Sequence, residues 1–177
     1  MRSLRSAVAL QVLSLLAACA QNRDESPVSR SPAPIDRYVL LRSGRVTLAE
    51  PLPSSVRTAA AIPAGATLVP LPSESFGGAE RITLHLSPDG RLAGAVFDFP
   101  HGVDFEAKVR GYASMGMPTR RQETRRGEEA ADVITWQDAR TTFTLRRDPN
   151  RSAWTVRGEL WDRSMRGAAT SADTAPT

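Results

Sequence analysis

The sequence predicts an α+β domain, mainly an antiparallel sheet with one amphipathic helix packed on it. Residues 81–86 alternate between polar and apolar side chains, which is typical of a strand with one buried face. Residues 105–115 carry apolar side chains at helical spacing, and three further β-prone runs follow them. Strands before and after a single helix predict a ββ-α-βββ core with extra strands on its N-terminal side.

The N-terminal part of the domain is predicted to be a hairpin followed by irregular chain. Residues 38–41 and 45–49 are β-prone and are joined by residues 42–44, Arg-Ser-Gly. Residues 50–75 contain five prolines, which interior strands rarely accept. We therefore expect this stretch to be irregular, with one edge strand at residues 66–69.

The next hairpin has the clearest pattern in the chain. Residues 81–86 and 92–99 each place three apolar side chains on one face. Residues 87–90, Ser-Pro-Asp-Gly, predict the turn between them, because proline fixes its own φ and glycine accepts a positive φ. The expected inward residues are Ile82, Leu84, Leu86, Ala95, Phe97 and Phe99.

One helix is predicted after this hairpin. Asp104 can cap its N-terminus, while Gly116 and Pro118 are expected to end it. Its apolar face consists of Phe105, Val109 and Tyr112. Because the helix is short, its stability should come from packing that face on the sheet.

The chain after the helix is predicted to hold a connector, three strands and a tail. Residues 119–131 carry mixed charges and predict the connector. The strands are expected at residues 132–136, 141–147 and 152–160. Residues 163–177 are rich in Ala, Thr and Ser and predict a disordered tail, so the domain should span residues 35–162.

Residues 1–18 have the layout of an export signal. Arg2 and Arg5 give a positive start, and residues 7–18 form an apolar run. This run is too short to span a bilayer, which needs about 20 apolar residues. Its length instead suits the apolar segment of a cleaved signal.

Leu16-Ala17-Ala18-Cys19 resembles the lipobox of bacterial lipoproteins. The resemblance implies cleavage before Cys19 and attachment of diacylglyceryl and N-acyl chains to that residue, which would anchor the protein to a membrane. Ala20 rather than Asp follows Cys19, and by the family's sorting rule this favours the outer membrane, with the domain facing the periplasm. The alternative is ordinary secretion, because residues 18–20 also fit a small-x-small cleavage site.

The segment between the anchor and the domain is expected to be a flexible tether. Residues 20–34 lack apolar periodicity and are rich in Ser, Pro and charge. Fully extended, they would reach about 50 Å. The domain is therefore expected to act close to the membrane.

Cysteine count and charge narrow the possible partners. The chain has one cysteine, so no internal disulfide is expected. Loss of Arg2 and Arg5 with the signal lowers the formal net charge from +4 to +2, which is weak evidence for a polyanionic partner. Together with export, this argues against a nucleic-acid partner.

The predicted helix is followed by a Gly-x-Pro break, Gly116-Met117-Pro118, and then by a strand that carries Trp136. In this order of features, the segment from the helix to the last strand resembles the small lipoproteins of the outer-membrane β-barrel assembly machine. This chain departs from their pattern because it lacks the first helix of that family.

Neither a catalytic nucleophile nor a metal site is predicted. Cys19 is acylated if the lipobox is used. Ser114 lacks the first glycine of G-x-S-x-G and falls on the predicted helix rather than on a strand-to-helix elbow. His85 and His101 are the two histidines, too few to predict a metal centre. No cofactor is expected beyond the lipid on Cys19.

Three carboxylates near the start of the predicted helix suggest a hydrolase, which is the least favoured of the function hypotheses. Asp98, Asp104 and Glu106, together with His101, are candidates for acid–base chemistry. A capping role for Asp104 and the attraction of acidic residues to a helix N-terminus explain this pattern without catalysis.

The densest basic run is a candidate binding segment, consisting of Arg120, Arg121, Arg125 and Arg126. Exposed arginines can hold phosphate or carboxylate groups bidentately. Glutamates interspersed in the run favour instead a solvated connector with local ion pairs. Trp161 is a further candidate, because it alternates with Leu160 and should lie on the more exposed face.

Three hypotheses about function follow, in order of preference. The first is a non-enzymatic, membrane-anchored envelope lipoprotein whose domain contacts an unidentified envelope protein. The second is a module that binds an anionic envelope component or small ligand through Arg120–Arg126. The third is a hydrolase that uses Asp98, Asp104 or His101.

Overall fold

The computed structural model describes residues 34–72, 77–124, 126–152 and 154–167. The predicted signal, the lipobox, nearly all of the tether and most of the predicted tail lie outside the described residues. Every described residue belongs to a compact unit that begins at residue 32. Within the described ranges, no helix is long and apolar enough to cross a membrane.

The described chain forms nine strands and three short helical segments. Their bounds are β1 (Tyr38–Leu41), β2 (Gly44–Thr47), α1 (Ser54–Ala59), β3 (Leu68–Pro72), β4 (Arg81–Leu86), β5 (Leu92–Asp98), α2 (Phe105–Gly111), a 3₁₀ turn (Ala113–Met115), β6 (Thr119–Glu123), β7 (Ala131–Gln137), β8 (Thr141–Arg147) and β9 (Val156–Asp162). The fold is therefore dominated by strands, as the sequence predicts.

Seven strands form one antiparallel sheet in the order β3-β4-β5-β9-β8-β7-β6, and β1 pairs with β2 in a separate hairpin. The last strand in the chain, β9, lies between β5 and β8. In this register Leu160 lies opposite both Ala95 and Phe143. The last strand, β9, therefore joins the two halves of the sheet, β3-β4-β5 and β8-β7-β6.

One face of the sheet carries the core. The β1–β2 hairpin, α1 and α2 pack on this face, where Val39, Val56 and Phe105 enter the same buried cluster as the strand side chains. The inward alternation predicted for β4 and β5 is confirmed, because Ile82 and Phe97 are buried within that cluster. Burial of these apolar surfaces is the main stabilising term of the fold.

The predicted start of the helix is confirmed, but its α-helical part ends earlier than predicted. The Asp104 side chain caps α2 by accepting a hydrogen bond from the backbone N–H of Ala107 at 3.1 Å. The α-helix ends at Gly111, and one 3₁₀ turn follows it. Gly116 then adopts a φ of 92°, which is favourable for glycine and directs the chain into β6.

The prediction of a connector at residues 119–131 is wrong for the first half of this range. Thr119–Glu123 forms β6, so four strands rather than three follow the helix. This strand lies at the sheet edge, where neither face is deeply buried. Its sequence, TRRQE, therefore lacks the apolar alternation on which a strand prediction depends.

The proline-rich stretch contains two elements. The predicted edge strand is present as β3, slightly later than expected, and it carries Pro70 on the outermost strand of the sheet. The short helix α1 has no counterpart among the sequence predictions. It begins after Pro53 and buries a single residue, Val56, so it has no helical repeat to detect.

Candidate binding cavity

A cavity of about 270 Å³ lies between the core face of the sheet and the elements that cover it. It is lined by Asp36, Tyr38 and Leu40 from the start of the domain, by Gly111, Tyr112, Ser114 and Met115 from the end of α2 and the following turn, and by Phe97, Phe143 and Leu160 from the sheet. Five separate parts of the sequence therefore build it.

The floor of the cavity is formed by β5, β8 and β9. Gly158 on β9 lies between the rings of Phe97 and Phe143, and a Cβ at this position would lie 3.3 Å and 3.5 Å from those two side chains. The absent side chain lets both rings come close to the central strand. Leu160 lies opposite Phe143 and completes the apolar floor.

One wall is formed by the aromatic cluster at the end of α2. The ring of Tyr112 lies 4.7 Å from that of Phe143 and 5.9 Å from that of Trp136, in edge-on geometry that favours aromatic packing. Trp136 is 1% exposed, and its indole N–H has no partner among the described residues. Burial raises the pKa of the Tyr112 hydroxyl, which therefore stays protonated at neutral pH.

The opposite wall is formed by β1. Val39 and Leu41 enter the core, while Tyr38 and Leu40 line the cavity. Leu40 is 56% exposed, one of the few large apolar side chains at the surface of the described chain. The guanidinium of Arg45 lies 4.0 Å from the centre of the Tyr38 ring, a cation–π contact that helps to hold the ring.

Asp36 is the one charged residue among the described residues that line the cavity. Its side chain is exposed, and it forms neither an ion pair nor a hydrogen bond with the part of the chain that the structure describes. The remaining polar side chains of the lining are the hydroxyls of Tyr38, Tyr112 and Ser114. The site is thus an aromatic and aliphatic pocket with one carboxylate.

The size and lining of the cavity suit a small apolar group. An apolar cavity of about 150 Å³ is enough to hold benzene, so this one can hold a ring with a short chain. Ser114 lies in the lining, but no histidine of the described chain accompanies it there. The arrangement therefore suits the binding of an apolar group.

The candidate acid–base residues are not brought together. Asp98 pairs with Arg157 at 2.6 Å, and Asp104 is the α2 cap. Glu106 pairs with Arg120 at 2.7 Å. Each carboxylate thus has a structural partner of its own.

The two histidines are also placed apart from the cavity. His85 lies against the ring of Trp161, with 4.7 Å between ring centres, and His101 is exposed. Among the residues described, no three potential metal ligands of the His, Cys, Asp or Glu type cluster.

Arg120 and Arg121, two of the candidate arginines, do not form one basic patch. Arg120 and Arg121 are neighbours on β6, so their side chains leave opposite faces of the strand, beside Ile134 and Val133 respectively. Arg120 pairs with Glu106, and Arg121 pairs with Glu123 at 2.8 Å. Arg126 is exposed, and Arg125 lies outside the described residues.

Trp161 lies on the second face of the sheet, as expected, but it is buried almost as deeply as Trp154. The exposed fractions are 8% and 7%. Trp161 lies flat over Gly94 of the neighbouring strand, where a Cβ would come within 2.2 Å of the indole. His85 and Met165 cover it further, so it offers little free surface for a ligand.

No sequence pattern predicts the cavity. The spacing of Tyr112 and Met115 indicates only the helix and its end, and nothing in it shows that β1 would stop short of covering them. Asp36 lies in an irregular segment before β1 and carries no motif. Only the pairing of distant segments brings these residues together.

Comparison with family models, with curated proteins and with solved structures found no match for this chain.

Proposed function

We propose that this protein is a lipid-anchored envelope module that binds, without catalysis, an apolar group of an envelope molecule in the cavity between β1 and α2. The observation that carries the proposal is the cavity of about 270 Å³, lined by aromatic and aliphatic side chains with one carboxylate. Pockets that bind small molecules are typically apolar with a few placed polar groups.

The position of the cavity relative to the predicted tether supports this proposal. The tether would join the domain at Ile35, which is buried and whose backbone N–H donates to Asp138 at 2.8 Å. Asp36, Tyr38 and Leu40 follow immediately and line the cavity. A tether attached to a membrane through Cys19 would thus hold the cavity within reach of envelope lipids and amphiphiles.

The two other hypotheses have less support. Arg120 and Arg121 lie on opposite faces of β6, and each is paired with a glutamate, which weakens the case for an anionic ligand. The candidate catalytic carboxylates each serve a separate structural contact. The expected envelope protein partner stays a prediction, to which Leu40 adds an accessible apolar contact at the cavity.

Filling the cavity tests the proposal. Gly111 lines the cavity, its φ lies outside the left-handed region, and a Cβ there meets nothing within 4 Å. Gly111→Leu should therefore occupy the cavity without straining the backbone, and it should weaken binding of 2-phenylethanol at least tenfold. Amide shifts in an NMR titration of the chain from residue 20 measure the affinity.

A matched control is available on the same helix. Ala107 is exposed on α2 and does not line the cavity, so Ala107→Leu adds a similar volume elsewhere. This variant should bind like the unmodified chain. Equal affinity in Gly111→Leu, or shifts confined to residues away from the cavity, would contradict the proposed site.

The membrane anchor has a separate test. If Cys19 receives the lipid, Cys19→Ser should abolish incorporation of a labelled fatty acid and should block cleavage of the signal. Gel mobility and acyl labelling in growing cells measure both effects. Normal processing and labelling of Cys19→Ser would show that the chain is secreted or anchored by other means.

A further inference from the structure

We propose that the natural ligand of this cavity is a small organic ammonium ion with an apolar body, bound with its charged group at Asp36. This inference rests on the proposed function, since it specifies the ligand of the same cavity. Two observations carry it. The Asp36 carboxylate has no partner within the described chain, and the rest of the pocket lining is uncharged and rich in aromatic rings.

Two basic residues near Asp36 in the sequence, Arg37 and Arg45, have other partners among the described residues. The guanidinium of Arg37 pairs with Asp162 at 2.6 Å and also bonds to Thr141. Arg45 lies on the ring of Tyr38. The Asp36 carboxylate therefore remains available to a cation that enters the cavity.

The aromatic rings of the lining also favour a positively charged ligand. The faces of aromatic rings carry negative electrostatic potential and attract cations within about 6 Å. Within the described chain, the rings that line the cavity are those of Tyr38, Phe97, Tyr112 and Phe143. A carboxylate or phosphate at the opening would be repelled by Asp36, so an anionic headgroup is disfavoured here.

The volume sets the size of the apolar body. An apolar cavity of about 150 Å³ is enough to hold benzene, and this cavity offers about 270 Å³. A phenyl ring with a two-carbon chain fits this space with its terminal nitrogen at the opening. Longer amphiphiles would have to extend past the exposed side chain of Leu40.

Three matched probes test the preference for a cation. 2-Phenylethylammonium, 2-phenylethanol and 3-phenylpropionate share the ring and differ in charge. By NMR titration at low salt, the ammonium should bind up to about fivefold more tightly than the alcohol, as expected for an exposed ion pair. The carboxylate should bind most weakly, and added salt should reduce the differences.

Two variants test whether Asp36 causes the preference for the ammonium probe. Asp36→Asn should remove the advantage of the ammonium while leaving affinity for the alcohol nearly unchanged. Glu50→Gln removes the same charge from an exposed residue that does not line the cavity, so it should keep the advantage.

The outcomes separate this inference from the proposed function. If the alcohol binds in the cavity and the ammonium gains nothing, or if Asp36→Asn keeps the preference, the inference is overturned and the apolar site stands. Tightest binding of 3-phenylpropionate also overturns it. If no probe shifts the cavity residues, both the inference and the proposed function fail.

Discussion

Single glycines control how close the rings come to this sheet. At Gly94 the indole of Trp161 occupies the space that a side chain would need, since a Cβ there would lie only 2.2 Å from the ring. At Gly158 there is more space, since a Cβ there would lie 3.3 Å from the ring of Phe97. The two glycines lie on opposite faces of the sheet, so one supports the packing of the second face and the other supports the cavity floor.

Gly94→Ala should destabilise the domain by about 1–3 kcal/mol, because the methyl group forces Trp161 off the strand. Urea unfolding followed by tryptophan fluorescence measures the free-energy change. Gly111→Ala is the control, since its Cβ enters open space and alanine is favoured over glycine in a helix. Equal stability of the two variants would mean that Trp161 can leave Gly94 at little cost.

The predictable strands are those whose apolar side chains recur at every second residue. The β4–β5 hairpin and β8 could be predicted from this pattern, although β5 is buried on both faces. The edge strand β6 could not, because both of its faces are solvated and its residues are polar or charged. The cavity could not be predicted either, since it depends on how β1 sits against the end of α2, which no local pattern records.

One contact fastens the start of the folded chain to the sheet. Asp138, between β7 and β8, accepts backbone hydrogen bonds from Ile35, Arg140 and Thr141. Burial opposes ionisation of this carboxyl, but these bonds outweigh it and lower the pKa of Asp138 below its ordinary value of 3.8. The ionised side chain thus holds the segment that leads into β1 and the cavity.

This lowered pKa predicts acid sensitivity. A carboxyl whose pKa is lower in the folded state stabilises the fold fully above its unfolded pKa, and this stabilisation is lost as the pH falls through the folded pKa. Asp138→Asn should therefore be less stable than the unmodified chain at pH 7, with the difference shrinking below about pH 4. Thermal unfolding across this pH range measures the effect, and a constant difference would contradict it.

At the scale of the whole molecule, the proposed anchor and the cavity are linked by the start of the domain. The predicted tether leads to Ile35, and the next few residues line the cavity, so ligand capture would take place where the domain is tied to the membrane. A ligand between β1 and α2 would also bridge two elements that pack separately on the sheet. Binding should therefore stabilise the fold increasingly as ligand concentration rises.

The most direct test of the cavity as a binding site is a crystal structure of the chain from residue 20 grown with 2-phenylethylammonium. We predict density for the ring among Tyr112, Phe143 and Leu160, with the nitrogen within about 4 Å of the Asp36 carboxylate, the range of an ion pair. An empty cavity at saturating ligand, or a ligand bound only elsewhere, would contradict the account.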